Sequence, residues 1–153
     1  MSHVLHHRAR YQLHLSAVKT ARRGARDLAQ DWGLDNPYDL LLTVSELVGN
    51  AVQHAGTPDR GQVTVAYTLS ARRLRVEVRD PSDEAPVQHE DPADPEREHG
   101  RGLAIVDALT RRWGVEPQVI GKIVWVEFCI TDLRTSPPPP RAGHLSGPPD
   151  RRG

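Results

Sequence analysis

Three side chains in this 153-residue chain are of the right type and spacing to do chemistry together: Glu46, Asn50 and Asp80. Glu46 and Asn50 are four residues apart, so on a helix they stack on one face, with Thr43 and Gln53 on the same side. That strip borders the apolar stripe rather than lying opposite it. A carboxylate and a carboxamide at the edge of a core, on a rigid element, suit oxygen ligation of a hard cation such as Mg²⁺, which takes one or two protein oxygens plus phosphates and water. A plain solvated helix flank would look the same. Asp80 continues the parity of Leu74, Val76 and Val78, so the inward face of a strand ends in a carboxylate just before Pro81. A carboxylate there is costly unless it is paired or ligand-bound, and it can accept a hydrogen bond from the exocyclic amine of a base. Asp-Pro-Ser is also good turn chemistry. Gly100-Arg101-Gly102 precedes an apolar helix. Glycines at a helix start let backbone amides approach a phosphate, and they also make tight turns.

These residues need elements to hold them. Tyr11 to Leu15 alternates as a strand, and residues 1–9 read as a loose lead-in. Ser16 is an N-cap candidate for a helix whose apolar positions Ala17, Val18, Ala21, Ala25, Leu28, Ala29 and Trp32 share one face; Gly33 stops it. Asp35 or Asn36 can cap a second helix with Pro37 at its first position. Its apolar face is Leu40, Leu41, Val44, Leu47, Val48, Ala51 and Ala55, and it carries Glu46 and Asn50. Val63–Leu69 and Leu74–Val78 alternate on either side of a short link, which predicts a hairpin. Residues 83–99 hold seven acidic residues and three prolines, a long polar loop of the lid kind. A helix from Leu103 to about Arg112, a turn through Gly114, and strands over Val115–Ile120 and Ile123–Ile130 complete the ordered part. The Pro-, Gly- and Arg-rich stretch 134–153 is expected to be disordered. Grouped helices between hairpins predict an α+β two-layer sandwich, with three main helices on one mostly antiparallel (mixed) sheet over residues 10–133.

Bulk composition narrows the function. Lys plus Arg and Asp plus Glu are both 20, so the formal net charge is zero, unlike a general nucleic-acid binder. No apolar run approaches the length of a membrane span, the start lacks a secretory signal, and a cytoplasmic location is the expectation. The single cysteine, Cys129, reads as a small buried hydrophobe. The eight histidines show no zinc-like spacing.

Taken in order, four segments resemble the motifs of the GHKL ATPase superfamily, whose nucleotide fold is called Bergerat. Glu46-Leu47-Val48-Gly49-Asn50-Ala51-Val52-Gln53-His54-Ala55 is similar to its N box. Asp80-Pro81-Ser82 is similar to the first Gly box, Gly100-Arg101-Gly102-Leu103 to the second, and Gly121-Lys122-Ile123-Val124-Trp125 to the closing strand. The likeness is nearest to stand-alone anti-sigma-factor serine/threonine kinases. It implies ATP and Mg²⁺ as cofactors. Asn50 would hold the metal, and Glu46 would activate a water or a partner's hydroxyl. Asp80 would take the adenine amino group, and Gly100, Arg101 and Gly102 would cradle phosphates, with Ser82, Leu103 and Lys122 completing the nucleotide-binding set. It also implies a protein partner (an antagonist, a sigma factor or both) and a possible homodimer, with no direct nucleic-acid or membrane contact. Ser82 and Glu84 replace glycines of the usual first Gly box. Ile123 replaces a Thr expected to reach the adenine through water. These departures keep open a second expectation, a non-catalytic switch that sequesters its partner. A histidine-kinase catalytic fragment is a third, which residues 1–10 are too short to supply with a dimerising helix.

Overall fold

A computed structural model of the chain describes residues 3–54, 61–81 and 98–135. The element order is β1 (Leu5–Gln12), α1 (Ser16–Asp31), α2 (Tyr38–His54), β2 (Gln62–Leu69), β3 (Arg73–Asp80), α3 (Glu98–Leu109), β4 (Arg112–Pro117), β5 (Lys122–Cys129) and a 3-10 turn over Ile130–Leu133. The strands form one five-stranded sheet in the order β1-β2-β3-β5-β4, and every neighbouring pair is antiparallel. Helices cover one face, which gives the α+β sandwich the hydrophobic periodicity predicts. Of the polar loop predicted over residues 83–99, the last two residues, Glu98 and His99, are helical and open α3, and residues 83–97 lie outside the described residues, as does the tail from residue 136.

Alternation decides which face each side chain takes. Val63, Val65, Tyr67 and Leu69 of β2, and Leu74, Val76 and Val78 of β3, are buried together with Val126 and Phe128 of β5. The helices answer with Ala17, Ala21, Ala25 and Ala29 of α1 and with Leu40, Val44, Leu47, Val48 and Ala51 of α2. The small residues of α1 let it approach α2 closely, and a hydrogen-bonded chain ties the pair: Arg22 Nε donates to Ser45 Oγ at 2.7 Å, and Ser45 Oγ donates to the Leu41 carbonyl at 2.8 Å. Gly24 has a packing reason, since a Cβ there would sit 2.8 Å from the Tyr11 hydroxyl. Burial pushes the Tyr67 phenol well above its ordinary range, with Tyr11 adding to the shift.

Several local expectations change. The first strand begins at Leu5, not Tyr11, so residues 5–9 pair with Val65–Leu69 of β2 instead of forming a loose lead-in. It is an edge strand held by backbone pairing, and most of its side chains are exposed, so it lacks an apolar signature. Ser16 is the first helical residue and not a side-chain cap; the ring Nδ1 of His14 accepts its amide hydrogen at 3.1 Å. Gly33 does end α1, at φ 69°, and the Leu34 amide reaches back to the Ala29 carbonyl at 2.8 Å, the pattern of a left-handed helix stop. Gly114 lies inside β4 and makes no turn. A Cβ there would stand 2.7 Å from Trp125 Cζ2, so the glycine leaves room for the indole on the strand opposite. Cys129 is half-buried, not buried, and a hydrogen bond with the Thr131 hydroxyl holds its thiol below the usual range.

Asp35 and Asn36 act as a clamp between chain segments a hundred residues apart, not as helix caps. Asp35 accepts from the Thr135 hydroxyl at 2.6 Å and from the Thr135 amide at 2.8 Å. The Asn36 amide donates to the Leu133 carbonyl at 3.0 Å. Arg134 and Thr135, expected in the disordered tail, are therefore held against the domain. The Thr135 bonds hold the Asp35 carboxyl below the usual carboxylate range. A depressed folded-state value means that its contribution is full above the unfolded-state value and is lost as pH falls through the folded one. In chemical denaturation, the stability gap between wild type and Asp35→Ala is expected to be largest at neutral pH and to close as the pH falls below about 4. A gap constant from pH 7 to pH 3 would contradict the clamp.

Candidate functional site

The central strand β3 carries its inward row of apolar side chains to the last residue, and there the row ends in Asp80. Its carboxylate is buried at 2% exposure. Directly opposite in the register is Lys122, the first residue of β5, itself 6% exposed. Lys122 Nζ stands 3.6 Å from Asp80 Oδ2. Burying a lone carboxylate here would be costly, and the ammonium offsets that cost.

Gly121 makes the approach possible. It has φ 78°, a conformation L side chains rarely adopt, and a Cβ built on it would collide with the Asp80 carbonyl oxygen and come within 2.8 Å of Pro81 Cα. The turn before β5 thus presses its backbone onto the end of β3. Alternation puts Lys122 and Val124 on the Asp80 face and Ile123 on the outer face, beside Arg79 and Glu116 in the register. The expectation that Ile123 weakens a contact next to Asp80 is therefore corrected: residue 123 does not share that face, and Lys122 holds the inward position.

Helix α2 supplies the second half. Leu40, Val44, Leu47, Val48 and Ala51 fix its buried side, which leaves Glu46 and Asn50 half-buried at the margin, one turn apart. Thr43 lies one turn earlier and is fully buried. Its hydroxyl finds no hydrogen-bond partner among the described residues, whereas Ser45 on the same helix bonds back to Leu41. An orphaned buried hydroxyl beside Glu46 and Asn50 is a polar atom that sequence spacing placed on the strip without marking it as unpartnered. Gln53 is exposed at the far end of the strip.

Helix α3 packs against α2, and α2 lies over β3. Gly100, Arg101 and Gly102 are the third to fifth residues of α3, which begins at Glu98, so the Gly-rich segment lies inside the helix instead of opening it at Gly100. Leu103 is half-buried one residue further on. The fold brings the helix that carries Gly100–Gly102 near its start beside the helix that bears Glu46 and Asn50. The four amides at a helix start lack intrahelical partners and favour an anion. Ser82, the remaining candidate, lies outside the described residues, as does Glu84. Among the described residues no three His, Cys, Asp or Glu side chains converge as a metal cluster, so a cation here would take one carboxamide oxygen from Asn50 and the rest of its shell from a phosphate ligand and water. The donor set and the unpartnered Thr43 hydroxyl fit that arrangement. No described helix is long and apolar enough to cross a membrane.

Comparison with known proteins places these features in context. The family model for the histidine kinase-like ATPase domain matches residues 11–140. The chain is also similar to an uncharacterised protein of Streptomyces coelicolor, at 34% identity over 102 residues, which cover 63% of this chain and 94% of that protein.

Two outcomes test the geometry at the β3–β5 junction. Lys122→Met removes the ammonium beside a buried carboxylate and is expected to cost about 3 kcal/mol in denaturant unfolding, with Asp80→Asn in the same chain recovering part of it. Gly121→Ala forces a left-handed backbone onto alanine as well as the collision, and should lower stability by about 1–3 kcal/mol. Unchanged unfolding midpoints in both single variants would mean that the junction is not packed as described.

Proposed function

The chain belongs to the histidine kinase-like ATPase domain family, and from that premise we propose that it binds Mg-ATP and acts as a serine/threonine protein kinase of the anti-sigma-factor type on a small antagonist partner. The observation that carries this reading is the pair Glu46 and Asn50, held half-buried one turn apart on α2, beside the helix that carries Gly100–Gly102 near its start.

Each residue then has a task. Asp80 accepts a hydrogen bond from the amino group of the adenine, and the Asp80–Lys122 pair holds that carboxylate in place at the end of β3. The first amides of α3 take the phosphates, and Arg101 adds positive charge, since backbone donors and positive charge suit oxygen anions. Asn50 holds the cation. When bound, Mg²⁺ supplies neutralisation of the phosphate charge. Glu46 accepts the proton of the attacking hydroxyl as that oxygen bonds to the γ-phosphorus; the bond from the γ-phosphorus to the bridging oxygen breaks, and ADP leaves with the electron pair. Phosphoryl transfer depends on positioning and on electrostatics more than on covalent help from the protein, so a sparse set of side chains suffices.

One observation favours the other reading, a switch that binds its partner without catalysis: Lys122 Nζ stands 3.6 Å from the carboxylate that the base would use. Calorimetry with ATP and millimolar Mg²⁺ separates the two. The kinase reading expects saturable binding that Asn50→Ala weakens at least tenfold and only when Mg²⁺ is present. It also expects Glu46→Ala to bind ATP normally while transfer of radiolabelled γ-phosphate to the captured partner falls by about 10²-fold or more. Absence of ATP binding would favour the switch, and full transfer by Glu46→Ala would remove Glu46 from the chemistry.

A further inference from the structure

The outer face of the sheet, opposite the helices, is rich in arginine, and its arginines fall into two groups. The first is fully partnered. Glu127, with a side chain only 10% exposed, takes Arg75 at 3.3 Å, Arg112 at 3.0 Å and Arg73 at 3.6 Å. Arg75 also bonds Glu77 at 3.0 Å and stacks 4.4 Å above the Trp125 ring. The second group is Arg8, Arg10 and Arg79. All three are exposed, and none has a carboxylate within ion-pair reach among the described residues.

These three are not scattered. Arg10 pairs with Thr64 on one side of β2, and Arg79 pairs with Thr64 on the other. Their Cα atoms are two strand spacings apart, roughly 10 Å. Arg8 is two residues along β1 and projects from the same face. Together with Thr64, Glu77 and Ile123 they line a cavity of about 130 Å³. Three guanidiniums lining one cavity repel each other, and a neighbouring sheet row shows that this fold can place carboxylates between arginines when pairing is needed. Here it does not. The one acid in the wall, Glu77, directs Oε1 to Arg75 Nε. Three positive groups against one carboxylate leave the cavity two charges positive, which matches a phosphate monoester dianion. Guanidiniums bind that group with paired N–H donors, and the Thr64 hydroxyl can add another.

We infer that Arg8, Arg10 and Arg79 form a binding site for a phosphate monoester on the outer face of the sheet, separate from the Glu46–Asn50–Asp80 site on the helix side. The ligand is either a free small phosphate or a phosphorylated side chain, and both present the same dianion. The inference does not depend on the kinase reading, because it uses neither α2 nor α3.

Amide NMR shift titrations of the full chain test it with three probes: inorganic phosphate, a phosphoserine peptide, and the same peptide unphosphorylated. Saturable shifts are expected at Arg8, Arg10, Thr64 and Arg79 with the two phosphorylated probes and not with the third. Arg10→Gln combined with Arg79→Gln should weaken that binding at least about tenfold, each lost charge-assisted pair being worth roughly that factor. Arg23→Gln, on the exposed side of α1, should leave it unchanged. Both are surface changes, and an unaltered unfolding midpoint verifies the fold. A phosphopeptide bound at least tenfold tighter than inorganic phosphate identifies a protein-borne phosphate, and similar affinities identify a small one. Failure to saturate by about 20 mM phosphate, shifts confined to Asn50 and Gly102, or an unchanged affinity in the double variant would overturn the site.

Discussion

A buried charge pair at the seam of two strands governs how this domain is assembled. Asp80 ends β3 and Lys122 begins β5, and at the edge of an apolar core each offsets part of the cost of burying the other. Their pairing requires the two strands to be in one register. That register puts Val78 against Val124 and Val76 against Val126, and so fixes which β5 side chains join the core. It also requires the chain to enter β5 through a left-handed residue lying on the Asp80 carbonyl, a position only glycine fills without strain. A one-residue slip would place Ile123 against Asp80 and send Lys122 to the outer face. The charge pair therefore acts as a register lock in addition to any part it has in ligand binding.

Helix α2 carries core and chemistry on adjoining sides. Its buried residues bind it to the sheet and to α1, and the Arg22–Ser45–Leu41 chain limits its sliding along α1. Glu46 and Asn50 inherit that rigidity because they lie within one helical turn of Leu47, Val48 and Ala51. A functional pair on a packed helix is positioned more closely than one on a loop, where the same side chains would need further hydrogen bonds to hold them. Thr43 marks where packing and chemistry meet. A hydroxyl buried among apolar neighbours without a partner is a cost that packing alone does not explain.

Much of this was legible in the residues. Alternation in β2 and β3 gave both the strands and their faces, and the period of α1 and α2 gave the helices, because those elements bury one side and expose the other. Leu5–Ala9 was not legible. An edge strand is held by backbone hydrogen bonds, and its His and Arg side chains have no core to alternate against. Gly114 read as a turn because its reason is an indole on the partner strand, which is invisible to local sequence. Asp35 and Asn36 looked like caps because their chemistry suits caps, but their partners are Thr135 and Leu133, too far along the chain for spacing to suggest. For the site, the order of Glu46, Asn50, Asp80 and Gly100–Gly102 was readable, while the counter-ion of Asp80 was not. Lys122 and Ile123 are adjacent in sequence, and only the register decides which of them faces inward.

The two faces of the sheet complete the physical picture. On the helix side, the buried charges among the described residues are a matched pair, Asp80 with Lys122. On the outer side, most charges are more exposed and the fold has more freedom, yet it uses that freedom unevenly. Around Glu127 three arginines converge on one buried carboxylate, and two of them, Arg75 and Arg112, also lie over the Trp125 ring, which ties β3, β4 and β5 together. Across β1, β2 and β3 the same residue type converges on open space. Surface ion pairs contribute little to stability, so pairing alone does not account for the difference. The cost of like charges brought together does, because it is recovered only when an anion enters. Arg8, Arg10 and Arg79, which have no ion-pair partner among the described residues, thus make sense as a surface completed by an anion.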